Sequence, residues 1–176
     1  FTKNSSHLAK PIKQLTVMAL VASLLGDVLL LFVNESAGFF TFGLVAFLVA
    51  HIMYTMLFLK RRNKAIKPIA FVAFLTFYGL CLFYFMKDGL NEMLVPVVIY
   101  MFVIIIMAST AYLRKEIVSN KSYQWVIIGA LFFMLSDSIL AMNKFNEPIA
   151  YAHVLIMSTY AAAQFCIVHG ILFQKK

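Results

Sequence analysis

The sequence predicts an all-α protein, a polytopic transmembrane bundle of about six helices that forms a single domain over residues 1–176. The first sign is composition, because 63% of the residues are hydrophobic and only 12% are charged, whereas a soluble domain is typically about half apolar and about a quarter charged. The others are a series of long apolar runs and a one-sided distribution of basic residues. With so few charges the chain cannot cover a water-facing surface, so lipid is its expected solvent.

Each apolar run is long enough to cross a bilayer, which takes roughly 20 residues at about 1.5 Å per residue. The connections between the runs are short and carry polar residues, so they leave no room for a soluble domain. Glycines inside the runs are expected to permit close approach of neighbouring helices; these are Gly26, Gly43, Gly79 and Gly129. The predicted spans are residues 14–33, 38–59, 66–86, 93–113, 122–142 and 149–173.

The basic residues predict the orientation. All of the 15 lysines and arginines except Lys87 and Lys144 lie at the chain ends or in and beside the second and fourth connections. By the positive-inside rule this side is cytoplasmic, which places both termini in the cytoplasm and requires an even number of spans. A bacterial plasma membrane or an ER-type membrane is the expected location. The net charge of +8 fits contact with anionic lipid head groups and not nucleic-acid binding.

Two aspartates inside the predicted spans are the best candidates for function. Asp27 and Asp137 are the acidic residues of the spans, and an ionised carboxylate in hydrocarbon costs at least about 2.5–3.5 kcal/mol. They lie in similar sequences, LGDVLL and LSDSIL, each seven residues before an outer polar residue, which predicts one depth of roughly 10 Å below the outer boundary. A purely structural role, accepting hydrogen bonds between helices, is the alternative. Intramembrane ionisable residues are by default functional.

Other polar side chains share helix faces. His51 is followed by Tyr54 and Thr55 at the third and fourth positions, so the three share one face of the second span. The fourth span places Tyr100 at a depth similar to that of the two aspartates. Deep tyrosines and glutamines need a hydrogen-bond partner or water. The sixth span carries a stripe at helical spacing, made of His153, Met157, Tyr160 and Gln164.

Short segments along almost the whole chain carry a family likeness. They are GD at 26–27, GLVAF and AHIMY within 43–54, VPVVIY at 95–100, LSDSILA at 135–141 and STYAAAQ at 158–164. In this order and spacing they resemble the YhhN family, whose animal members are the TMEM86 lysoplasmalogenases. Family members often carry two adjacent tyrosines before the final Ala-Gln pair, where this chain has Tyr160 and then Ala161.

The resemblance implies a fold and an activity. Full-length members resemble eight-span proteins, so two N-terminal spans are expected to be missing before Phe1. The implied reaction is hydrolysis of the vinyl ether bond of a lysoplasmalogen, which releases a fatty aldehyde and glycerophospho-ethanolamine or glycerophospho-choline. Another lysolipid or ether lipid is an alternative substrate. The expected partners are a lysophospholipid and membrane lipids.

The residues suit this chemistry. A vinyl ether is hydrolysed by protonation of its β-carbon, addition of water to the resulting oxocarbenium ion, and collapse of the hemiacetal. Two neighbouring carboxyls in a low dielectric cannot easily both ionise, so one is expected to keep its proton as the acid; which of Asp27 and Asp137 does so stays open. His51 and Tyr54 are predicted to orient water or one of the carboxyls. The residues predicted to hold the glycerol hydroxyl or the ether oxygen are Tyr100, Tyr160 and Gln164.

Two rival interpretations remain at the level of sequence. No cofactor is expected, but the chain holds residue types that ligate zinc, although no HExxH-like signature accompanies them; they are Asp27, Asp137, His51 and His153. A small transporter or lipid-binding protein is the second rival, because paired aspartates can carry protons.

Overall fold

The computed structural model describes residues 7–174, and every regular element in that range is helical. Each of its long α-helices is apolar enough to cross a membrane, which confirms the predicted all-α transmembrane class. Two short 3₁₀ turns, Lys87–Gly89 and Asn91–Met93, join the third helix to the fourth. The helices are α1 (Lys10–Leu31), α2 (Ala37–Leu59), α3 (Ile69–Met86), α4 (Leu94–Tyr112), α5 (Asn120–Phe145) and α6 (Ala152–Leu172).

Local sequence signals explain where the helices begin. Pro11 lies in the first turn of α1, where a missing N–H costs nothing, and α1 starts about one turn before the predicted span. At the start of α2 the Ser36 hydroxyl accepts a hydrogen bond from the Gly38 N–H at 3.3 Å, which satisfies a free donor of the first turn. The third helix begins directly after Pro68 and not at residue 66, because a residue before proline disfavours the helical conformation.

The helices are arranged around one core. The most extensive interfaces join α1 to α2 and α5 to α6, while α2 packs on α4 and α4 packs on α5. A hydrogen bond from the Tyr160 hydroxyl to the Asp27 carboxylate connects α6 back to α1. The remaining helix, α3, packs against α4 and α5 and is the least buried of the bundle.

The centre of the bundle combines aromatic rings with polar groups. His51, Tyr54 and Phe133 are completely buried, and the His51 and Phe133 rings meet edge to face with centroids 4.5 Å apart. A smaller apolar cluster closes the end of the bundle beside the two 3₁₀ turns, which the charge pattern predicts to be the outer end. Its buried members are Phe40, Met86, Leu90, Val97 and Phe145. The polar side chains at the centre are therefore enclosed by apolar packing.

The basic connections meet at one end of the bundle. The Asn63 N–H donates to the Leu113 carbonyl at 2.6 Å, which ties the second connection to the fourth. Arg114 beside them is buried, and its guanidinium donates to Ser122 Oγ at 3.0 Å and to Gln174 Oε1 at 2.8 Å. The fold thus brings the two basic connections together at one end of the bundle. The cytoplasmic orientation of this end stays a prediction.

Close helix approach gives a first testable prediction, at Gly129 on the α5–α6 interface. A Cβ added there would lie 2.7 Å from Ile167 Cγ1 and 2.9 Å from the Ala163 carbonyl oxygen. Because that backbone cannot move aside, Gly129→Ala is expected to lower the free energy of unfolding by about 1–3 kcal/mol, seen as a lower thermal unfolding temperature in detergent. Gly38→Ala is the matched control, because its Cβ would make only ordinary contacts. Equal unfolding temperatures for the two variants would contradict this packing.

Candidate active site

Asp137 on α5 is the acidic residue with the most enclosed surroundings. The Tyr100 hydroxyl, from α4, donates to Asp137 Oδ2 at 2.6 Å. His51 Nε2, from α2, lies 3.7 Å from the same oxygen, which is beyond hydrogen-bond distance. Within residues 7–174 the carboxyl makes no other side-chain hydrogen bond. In the described range, Oδ1 of this carboxyl therefore has no side-chain hydrogen-bond partner.

A cavity of about 70 Å³ lies beside this carboxyl, between α2, α3, α4 and α5. Its polar lining consists of Asp137, Tyr100, Tyr78 and Ser138, and the Tyr78 hydroxyl donates to Ser138 Oγ at 2.9 Å. The rest of the wall is apolar, with Phe47 among its members. An apolar pocket with a few convergent polar groups is the usual form of a small-molecule site.

Asp27 on α1 is the end of a second polar network. The Tyr160 hydroxyl donates to Asp27 Oδ2 at 2.9 Å, and Gln164 Nε2 donates to the Tyr160 hydroxyl at 3.2 Å. The Tyr54 hydroxyl in turn donates to Gln164 Oε1 at 2.6 Å. Side chains from α1, α2 and α6 thus form one hydrogen-bonded chain, which ends at a carboxyl that is only partly buried.

The two networks are neighbours that share an aromatic wall. The Phe133 ring meets His51 at 4.5 Å on one side and Tyr160 at 5.4 Å on the other, both edge to face. No hydrogen bond joins the carboxyls of Asp27 and Asp137 in the part of the chain that the structure describes. Each carboxyl has its own tyrosine donor, so the structure contains two tyrosine–carboxyl pairs, while the close carboxyl pair expected from the sequence stays a prediction.

Most of the residues singled out in the sequence lie in these networks, but part of the α6 stripe does not. His153 and Met157, in the first two turns of α6, are exposed and do not point into the bundle. Sequence reasoning missed Tyr78 and Ser138. Ser138 directly follows an aspartate that the sequence had already marked, whereas nothing in the apolar run of α3 marks Tyr78.

The zinc alternative can be compared with the ligand geometry. Among residues 7–174, no three His, Cys, Asp or Glu side chains lie close enough together to hold a metal ion. His51 and Asp137 approach each other, but His153, the fourth proposed ligand, is exposed on α6.

Comparisons with known proteins agree on one family, and their matches cover most of the chain. The model of the YhhN family matches residues 1–171. The human lysoplasmalogenase TMEM86A is 33% identical over 166 residues, which cover 91% of this chain and 66% of the relative. The human lysoplasmalogenase TMEM86B is 32% identical over 154 residues, which cover 88% of this chain and 62% of the relative. A lysoplasmalogenase of Mycobacterium tuberculosis (strain CDC 1551 / Oshkosh) is 30% identical over 168 residues, with 91% and 61% covered.

The chain therefore spans a little under two thirds of the length of these curated relatives. No solved structure matches it significantly. A family match over residues 1–171, in a bundle that keeps the five resembling segments on membrane-spanning helices, shows that this chain belongs to the YhhN family.

Proposed function

We propose that this protein is an intramembrane hydrolase that cleaves the vinyl ether bond of a lysoplasmalogen-like lysophospholipid. Three relatives that carry the name lysoplasmalogenase support the reaction class. The observation that carries the proposal is the Asp137 carboxyl, which lines an apolar cavity with one oxygen held by Tyr100. A water-poor cavity with one carboxyl suits a reaction that begins with proton transfer to carbon.

The overall reaction consumes one water and needs no redox partner. The proton of an acid adds to the β-carbon of the vinyl ether, and the π electrons form the new C–H bond. The α-carbon and its oxygen then share the positive charge as an oxocarbenium ion. Water adds to the α-carbon and loses a proton, and the hemiacetal collapses to a fatty aldehyde and the free glycerol hydroxyl.

We assign the proton transfer to Asp137. Tyr100 donates to Oδ2, so we assign the transferable proton to Oδ1 of this carboxyl, which belongs to the cavity lining. Once the proton has left, the carboxylate stabilises the oxocarbenium ion, and it does so more strongly in an apolar cavity than in water. The same carboxylate then accepts a proton from the attacking water, as the acid of a retaining glycosidase later acts as base. The Tyr100 hydroxyl holds the carboxyl in place, and the buried His51 ring packs beside it with Nε2 3.7 Å from Oδ2.

The Asp27 network has a different role in this proposal. Asp27 is partly exposed, whereas Tyr54 at the other end of the chain of hydrogen bonds is completely buried. Hydrogen-bonded side chains that run from a partly exposed carboxyl to the core form a polar path through an apolar bundle. We assign to Asp27, Tyr160 and Gln164 the delivery and orientation of the water that adds to the oxocarbenium ion.

In this proposal the hydrocarbon tail of the substrate lies in the cavity, against α3. Gly79 of α3 lines that cavity, which gives a second prediction. A Cβ at Gly79 would lie 3.3 Å from Ile105 Cδ1 and 3.4 Å from Met101 Cε, so alanine is tolerated but a larger side chain fills the cavity. Gly79→Phe is expected to lower kcat/KM for a long-chain vinyl ether roughly 10- to 100-fold, because the reacting bond is displaced from Asp137. Gly79→Ala is the control, and equal rates for the two variants would contradict tail binding at this position.

The test of the function is aldehyde release by the purified protein in detergent. A lysoplasmalogen and its saturated alkyl-ether analogue are supplied in parallel, and the proposal predicts aldehyde from the vinyl ether alone. If the folded protein releases none, but moves solute in proteoliposomes, the transporter interpretation replaces the hydrolase.

A further inference from the structure

A lysine lies over the outer end of the Asp137 cavity. Phe40 and Phe145 line the outer end of the cavity and meet edge to face with ring centroids 5.7 Å apart. The Lys144 Nζ lies 5.2 Å from the centroid of the Phe40 ring. The Phe40 ring thus separates the cavity from an ammonium group, which the ring attracts through a cation–π contact and which an anion at the surface can meet.

Lys144 is also aligned with Asp137. The two residues are seven positions apart on α5, which corresponds to about two helical turns and a rise of roughly 10 Å at 1.5 Å per residue. They therefore share one face of α5, with the carboxyl in the cavity and the ammonium outward of it.

The charge of Lys144 is available to a ligand. Of the two basic residues on the outer side, Lys87 pairs with the Asp88 carboxylate at 3.9 Å. Lys144 has no carboxylate within ion-pair distance in the described range 7–174, and its side chain is exposed. Within the described range, a positive charge without an acidic partner thus lies over the outer end of a cavity that a carboxyl lines.

We propose that Lys144 binds the phosphodiester of the substrate head group and so determines which bond of the lipid faces Asp137. The proposal rests on the proposed hydrolase function. In an extended lysoplasmalogen, the chain of bonds from phosphorus to the vinyl ether β-carbon spans about 8 Å, judged from the length per bond of an extended peptide chain. That length is close to the rise between Lys144 and Asp137. A phosphate held at Lys144 therefore brings the β-carbon to the level of the Asp137 carboxyl.

A comparison of two substrates tests this subsite. One is a lysoplasmalogen, and the other is a 1-alkenylglycerol with the same tail and no phosphate. Lys144→Gln is expected to raise KM about tenfold for the lysoplasmalogen, with little change in kcat, because one charge-assisted contact is lost. KM for the 1-alkenylglycerol is expected to stay unchanged, and Lys144→Arg is expected to restore the value for the lysoplasmalogen. Lys87→Gln, the matched loss of an outer charge, is expected to leave both values unchanged.

Equal effects of Lys144→Gln on the two substrates would overturn the proposal, as would equal effects of Lys87→Gln and Lys144→Gln on the lysoplasmalogen. A binding measurement separates this result from failure of the hydrolase itself. The saturated alkyl-ether lysophospholipid is not a vinyl ether, so its equilibrium binding reports the subsite without turnover. About tenfold weaker binding by Lys144→Gln supports the subsite even if no aldehyde forms, and unchanged binding overturns it. Displacement of this lipid by low millimolar inorganic phosphate would instead make Lys144 a site for the free ion and overturn the head-group assignment.

Discussion

Asp137→Asn is expected to lower kcat for vinyl ether cleavage by about 10³-fold, which lies within the range for loss of a general acid. Asparagine keeps the size of the side chain and can still accept the hydrogen bond from Tyr100 through its amide oxygen. It has no acidic proton for the β-carbon and no negative charge for the oxocarbenium ion. The measurement is aldehyde release at saturating lysoplasmalogen, with thermal unfolding in the same detergent as a check on folding.

Asp88→Asn is the matched control for this variant. It makes the same chemical change at an exposed carboxyl in the outer connection, so full activity is expected. If Asp137→Asn is folded and as active as the control, Asp137 is not the acid and the proposed mechanism is wrong.

Asp27→Asn and Tyr160→Phe are each expected to lower kcat by about 10²-fold, and the double variant is expected to be no slower than the worse single one. The Tyr160 hydroxyl donates to Asp27 and accepts from Gln164, so changing either Asp27 or Tyr160 breaks the same water-orienting chain. Residues that act as one unit give non-additive losses. A kinetic double-mutant cycle on aldehyde release measures the coupling.

Ser158→Ala controls for the loss of a hydroxyl on α6. The Ser158 hydroxyl donates to the Leu155 carbonyl of its own helix at 3.1 Å and is exposed, so little change is expected. Losses that multiply in the double variant would contradict a shared role for Asp27 and Tyr160.

The fold could be predicted largely from the sequence because lipid imposes a simple rule. A chain that crosses a bilayer must satisfy its backbone internally, so an apolar run of sufficient length has to be a helix. The helix ends depend on capping residues and prolines. The third helix begins at Ile69 and not, as predicted, at residue 66, because of Pro68. The position of α3 outside α4 and α5 could not be predicted, because its apolar residues look alike whether they meet lipid or protein.

The candidate site could likewise be predicted in part from the sequence. Burying a polar group without a partner is costly, so the presence of His51, Asp137 and Gln164 in apolar runs already marked them. Their partners depend on how helices rotate against one another, which a single sequence does not specify. The tyrosine donor of each carboxyl and the role of Tyr78 on α3 therefore emerged only from the structure.

The most direct test of carbon protonation is the isotope content of the products formed in D₂O enriched in D₂¹⁸O. The mechanism predicts a fatty aldehyde with a single deuterium on the carbon next to its carbonyl group, and a glycerol hydroxyl that retains its original ¹⁶O, because the bond that breaks lies on the vinyl side. The aldehyde must be trapped at once, since its α-hydrogens exchange slowly with solvent. An aldehyde free of deuterium, or ¹⁸O in the glycerol hydroxyl, would contradict the account.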